Sequence, residues 1–159
     1  MEPIFETLEK IGCRVEPCGS RVTCSPPPAD TDADYLVQIL PGDNGRDTVA
    51  SVVNELSGAG FQWEGSEHYQ DAAGEFMSWR GDGNINLIVT ADSVFADKHR
   101  TATALCKRLN LLDKRDRISL FQAVLYGVEW NGETWAEMKA KRARSPVDKM
   151  LAELGEYPF

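Results

Sequence analysis

Residues 31–40 read Thr31-Asp32-Ala33-Asp34-Tyr35-Leu36-Val37-Gln38-Ile39-Leu40. From Asp34 onward the run is β-rich and mostly apolar, the pattern of a central strand. Asp32 and Asp34 stand two residues apart, so on a strand both carboxylates project to the same side. They converge on one site at the strand's edge. Adjacent carboxylates repel unless a cation lies between them, and a hard divalent ion such as Mg2+ or Mn2+ meets that need. Upstream, Gly19-Ser20 is a bend of small residues that lets backbone N–H groups and a hydroxyl come close to a phosphate. Arg21, next in the chain, suits either contact with a triphosphate or a surface ion pair. These parts together suit metal-assisted phosphoryl transfer, with one ion activating an attacking hydroxyl and another holding a triphosphate and its leaving group.

The elements on either side fall into a consistent order. Ile4, Phe5, Leu8 and Ile11 recur at helical spacing, and Gly12 ends that helix. Short extended pieces are expected over Cys13–Val15 and Arg21–Cys24, followed by a stiff connector at Pro26-Pro27-Pro28. After the strand, Pro41–Gly45 is turn chemistry. Asp47 is placed to cap a helix carrying Val49, Val52, Val53 and Leu56, which Gly58 and Gly60 stop. Phe61–Trp63 is a strand candidate, and the polar stretch from there to Gly74 reads as a loop. Glu75–Arg80 and Asn84–Thr90 are two strands joined by the tight hairpin Gly81-Asp82-Gly83. Asp92 or Ser93 caps a helix to about Leu109. Asp113 caps another, with Ile118, Phe121, Gln122 and Leu125 along one side and Gly127 as its stop. A turn at Trp130-Asn131-Gly132, a basic helix over 133–144 and a last short helix opening at Ser145-Pro146 complete the chain. The expectation is an α+β fold with a small mixed or antiparallel sheet of about four or five strands, followed by C-terminal helices. Residues 1–159 would form a single domain, with a sheet-containing core over 1–90 and a helical portion over 91–159 packed on it.

A Gly-Ser bend followed by Asp-x-Asp in an apolar strand resembles the nucleotidyltransferase superfamily, whose type is polymerase β. Gly19, Ser20, Asp32 and Asp34 match that signature. The stretches GSRVTCSPPPADTDADYLV, NINLIVT and NLLDKRDRISLFQAVLYG are also similar to short nucleotidyltransferase-like proteins carried by bacteriophages. The resemblance implies a minimal nucleotidyltransferase core in which Asp32 and Asp34 hold Mg2+ or Mn2+, while Gly19, Ser20 and Arg21 bind the nucleotide. Asp32, Asp34 and Asn86 would be the catalytic residues. Asn86 departs from the pattern, because the family places a third carboxylate on that later strand and an amide is a poorer Mg2+ ligand. Asp30, Asp82 and Asp92 are acids nearby that could substitute, but none falls in the pattern. Relatives often carry a helix after the Gly-Ser bend, for which three prolines leave little space.

The chain has 159 residues and a formal net charge of −8, which argues against general affinity for nucleic acid. The charge is uneven: residues 1–96 hold 5 Lys+Arg against 16 Asp+Glu, whereas 97–159 hold 12 against 9. Lys107, Arg108, Lys114, Arg115 and Arg117 cluster near the join of two helices, and Lys139, Lys141, Arg142 and Arg144 follow. Each group suits a polynucleotide or a solvated helix face. Trp63, Trp79, Trp130 and Trp135 suit base stacking or core packing. Cys13, Cys18, Cys24 and Cys106 lack the paired spacing of a zinc site and read as reduced thiols in or near a core. No stretch is apolar enough for a membrane helix, and the opening residues do not read as a signal peptide. A soluble, cytoplasmic protein is expected, in the host cytoplasm for a phage-borne chain.

Two functions compete. One is an enzyme moving a nucleoside monophosphate from an NTP to a hydroxyl of RNA, a protein or a small molecule. The other is a catalytically impaired binding protein on the same fold, a phage effector that inhibits a host protein. Its acidic first half would then imitate nucleic-acid charge.

Overall fold

The computed structural model describes residues 3–29, 32–42, 45–64 and 76–127. In chain order the elements are α1 (Pro3–Lys10), β1 (Cys13–Cys18), α2 (Ser20–Thr23), β2 (Ala33–Ile39), α3 (Gly45–Gly58), β3 (Gln62–Trp63), β4 (Met77–Gly81), β5 (Ile85–Thr90), α4 (Ser93–Leu109) and α5 (Lys114–Tyr126). The strands form one five-stranded sheet in the order β1-β2-β5-β4-β3. β2 and β5 are parallel, and the other pairs are antiparallel. The fold is therefore α+β with a mixed sheet, as the sequence leads one to expect.

Side-chain alternation divides the sheet into two faces. Val37, Ile39, Leu87, Val89, Met77 and Trp79 bury one face against Phe5 and Leu8 of α1 and Val52 and Leu56 of α3. On the other face Leu36 and Cys18 pack with Ala96 of α4. Ile88 also reaches the cluster of Phe76, Phe95 and Leu125, which brings in α5. Helices thus cover both faces, which explains why β2 is apolar on both sides beyond Asp34.

Local chemistry sets the boundaries. Asp92 caps α4, its Oδ1 accepting from the Val94 and Phe95 N–H groups at 3.0 and 3.1 Å. Asp113 caps α5 through the Arg115 N–H at 2.8 Å. Gly127 ends α5 at φ 64. The β4–β5 hairpin turns through Gly83 (φ 76) and Asn84 (φ 58), two residue types that tolerate this left-handed region.

Two details differ from the sequence reading. Val22 and Thr23 are β-branched and suggested an extended piece, but 20–23 form one helical turn. Both their N–H groups bond to the Gly19 carbonyl at 3.0 Å. The chain must reverse between the antiparallel β1 and β2, and that tertiary demand overrides local β preference. α3 also starts at Gly45 rather than behind an Asp47 cap. The expected loop over 65–74 and the elements beyond 127 lie outside the described residues.

The proline connector is tied to the helical layer. Ser25 and Asn110 exchange two hydrogen bonds, with Ser25 N–H donating to Asn110 Oδ1 at 3.0 Å and Asn110 Nδ2 donating to the Ser25 carbonyl at 3.2 Å. Arg117 Nη1 donates to the Leu111 and Leu112 carbonyls at 3.0 and 2.7 Å and to Cys24 Sγ at 3.2 Å. All four cysteines are buried and free.

Candidate active site

Strand register builds the site. Cys18 of β1 pairs with Asp34 of β2, Asp34 with Asn86 of β5, and Asn86 with Arg80 of β4. Directly paired residues share a face, so these four side chains form one transverse row on the α4 side of the sheet. The next row inward is Glu16, Leu36, Ile88 and Ser78, where the apolar packing against α4 begins. Asp32, two residues before Asp34, extends the row's surface outward past the strand end.

Asp32 and Asp34 project to the same side. Arg80 Nη1 lies 3.4 Å from Asp32 Oδ2, and the Asp32 charge acts on Asp34. Arg80 Nε also approaches Glu64 Oε2 at 3.6 Å, and Ser78 Oγ donates to Glu64 Oε1 at 2.8 Å. Arg80 is thus shared between Asp32 and an acid anchored from β4.

The bend lies directly against Asp34. Gly19 has φ 76, and a Cβ built there would fall 2.1 Å from Asp34 Oδ2. Only glycine satisfies both the left-handed backbone and this contact. Ser20 opens α2 immediately after it. Burial pushes the Asp34 carboxyl up to about 6; the Asn86 hydrogen bond opposes this, Asp32 adds to it, and the Arg80 and Arg21 charges pull it back down. While the Asn86 side chain is bonded to Asp34, its Oδ1 is buried with no hydrogen-bond partner among the described residues.

The structure therefore brings Gly19, Ser20, Asp32, Asp34 and Asn86 to one end of the sheet, with Arg21 close enough to act on Asp34. Asp92 is committed to the α4 cap, Asp82 is exposed in the hairpin turn, and Asp30 lies outside the described residues. Of the basic cluster near the helix join, Arg117 is bound to loop carbonyls, and Lys107, Arg108, Lys114 and Arg115 are exposed. Trp79 is buried on the opposite face and stacks with Trp63 at 6.1 Å. Trp130, Trp135 and the 139–144 charges lie outside the described residues.

Arg80 was not singled out by the sequence reading. The signal was available: once the Gly81–Gly83 hairpin is closed on the Gly81–Ile85 pair, Arg80 must face Asn86. Among the described residues no group of three or more His, Cys, Asp or Glu side chains could hold a metal ion. Nor is any described helix long and apolar enough to cross a membrane.

An acidic strand end, a glycine bend pressed on it and a flanking arginine make up the candidate site. No protein-family model matches the chain, and no curated protein does. Among solved structures, Cid1 in complex with its short product ApU superposes with a TM-score of 0.44 at 15% identity, covering 87% of this chain and 38% of that one. The Cid1 poly(U) polymerase with MgGTP bound gives 0.46 at 16% identity, covering 87% and 39%. Terminal uridylyl transferase 4 from Trypanosoma brucei, with bound UTP and UpU, gives 0.43 at 11% identity, covering 66% and 35%. The chain spans less than two fifths of the length of each.

Proposed function

We propose that this chain, acting as one domain over residues 1–159, is a metal-dependent nucleotidyltransferase. It would move a nucleoside monophosphate from an NTP to a hydroxyl of RNA, a protein or a small molecule. The observation that carries this reading is the contact between the Gly19 bend and the Asp34 carboxylate, where a Cβ would fall 2.1 Å from Oδ2. A phosphate seated on the bend is then delivered to the acids. Asp32 and Asp34 supply hard oxygen donors at one strand end, and the orphaned Asn86 Oδ1 beside them adds a neutral one. That donor set fits Mg2+ or Mn2+, which is commonly held by one or two carboxylates together with substrate phosphates. When bound, the ion neutralises triphosphate charge as a Lewis acid. Gly19 and Ser20 seat the phosphates, Arg21 offsets their charge, and Asn86 orients Asp34 by its hydrogen bond.

The test is thermal stability in a titration of Mg2+ or Mn2+ with NTP. Binding at a hundredfold excess over the dissociation constant stabilises by about 2.7 kcal/mol. Asp34→Ala abolishes that shift, and an equal response of the two proteins refutes the proposal. The Arg80–Asp32 pair, a cation already on the first acid, favours a second reading: a catalytically impaired protein that binds a partner. That reading predicts no shift with any NTP and near-stoichiometric capture of one host protein from lysate.

A further inference from the structure

We propose that the site takes a single divalent ion, the one carried by the nucleotide, and that the Arg80 guanidinium supplies the second positive centre. The inference rests on the nucleotidyltransferase reading and specifies its metal stoichiometry. Along the row, the Gly19 bend lies on the β1 side of Asp34, and Asn86 and Arg80 lie on the β5 and β4 side. A triphosphate on the bend brings its ion to the first side. On the other side the sheet offers a neutral amide and a guanidinium 3.4 Å from Asp32. Two adjacent divalent ions concentrate positive charge that anionic ligands must balance. Asp32 and Asp34 are the carboxylates at this end of the sheet, and Arg80 already offsets one of them; Glu16, in the next row inward, is held by Arg100 at 2.7 Å and Arg14 at 2.5 Å. Glu64, the other acid within reach, is engaged by Arg80 at 3.6 Å and by Ser78 at 2.8 Å, and both contacts hold it toward the β4 side. A second ion would therefore have to displace Arg80 without gaining a new anionic ligand, whereas the guanidinium gives a fixed charge with planar donors at no such cost.

Equilibrium dialysis tests this with Mn2+ and each α,β-methylene ribonucleoside triphosphate in turn, measuring bound metal and bound nucleotide together. The intact protein is expected to hold Mn2+ and nucleotide in equal amounts. The double variant Arg80→Ala/Asn86→Asp, which removes the cation and adds a carboxylate, is expected to hold twice as much Mn2+ per nucleotide. Two ions per nucleotide in the intact protein overturn the inference whether or not the variant folds. So does a variant, folded by circular dichroism, that still binds one. If the intact protein binds no nucleotide of any base with Mn2+, the nucleotidyltransferase reading falls and this inference falls with it.

Discussion

Asp34→Asn is expected to stabilise the metal-free protein at neutral pH while destroying metal-nucleotide binding. Burial raises the Asp34 carboxyl from 3.8 to about 6. A raised folded-state value means that the folded protein holds the proton more tightly than the unfolded chain. The stability this contributes is fully present below pH 3.8 and is lost as pH rises through about 6. At 1.36 kcal/mol per unit the loss is ~3 kcal/mol, which partial exposure to solvent trims to ~2 kcal/mol. An isosteric amide escapes this penalty, and its own N–H can donate to the orphaned Asn86 Oδ1. For a domain of this size ~2 kcal/mol corresponds to a rise in Tm of ~4–8 °C. Thermal melts in EDTA from about pH 4 to 8 measure the gap, which should open across that range and be nearly closed at its acid end. A variant less stable than the parent at neutral pH, or a gap that does not change with pH, refutes the reasoning.

His99→Leu should show the opposite sign. Burial pulls His99 down to about 4, so its contribution is lost as pH falls from 6.5 toward 4, and the variant escapes ~3 kcal/mol of that acid loss in urea melts. The two terms oppose each other in one window, so the intact protein should vary little there and each variant should uncover the other slope. Gly19→Ala forces an L-residue to φ 76 with its Cβ 2.1 Å from Asp34 Oδ2; a cost of at least ~2 kcal/mol by urea denaturation is expected, and one within ~0.5 kcal/mol would mean that the contact is slack. Arg117→Met strips donors from the Leu111 and Leu112 carbonyls and should cost ~1–3 kcal/mol by the same measurement while leaving metal-nucleotide binding intact.

Much of the fold was legible because caps and periodicity act locally. Asp92, Asp113 and Gly127 mark helix ends through hydrogen bonds and dihedrals within a few residues, and the sequence places them directly. The i, i+2 spacing of Asp32 and Asp34 is equally local, but only Asp34 lies in β2, which begins at Ala33. What escaped was set by pairing. The helical turn at 20–23 exists because β1 must reverse into β2, and nothing in Val22-Thr23 carries that demand. Arg80 belongs to the site only because β4 pairs with β5 in a particular register. Asn86, read as a departure from a pattern, is structurally both the partner of Asp34 and the owner of an oxygen with no hydrogen-bond partner among the described residues. Neither property is visible until the strands are aligned.

The transverse row has a consequence for how such a protein tolerates change. Its four positions come from four different strands, and the next row inward is the packing layer against α4. Sliding any one strand by a single residue would turn its whole alternation over, sending apolar side chains to the wrong layer together with the acid, amide or guanidinium it contributes. Alignment of the chemistry is thus enforced by the same hydrophobic pattern that holds the sheet. A substitution can exchange one polar end-group of the row for another, but it cannot misplace them while the domain still folds.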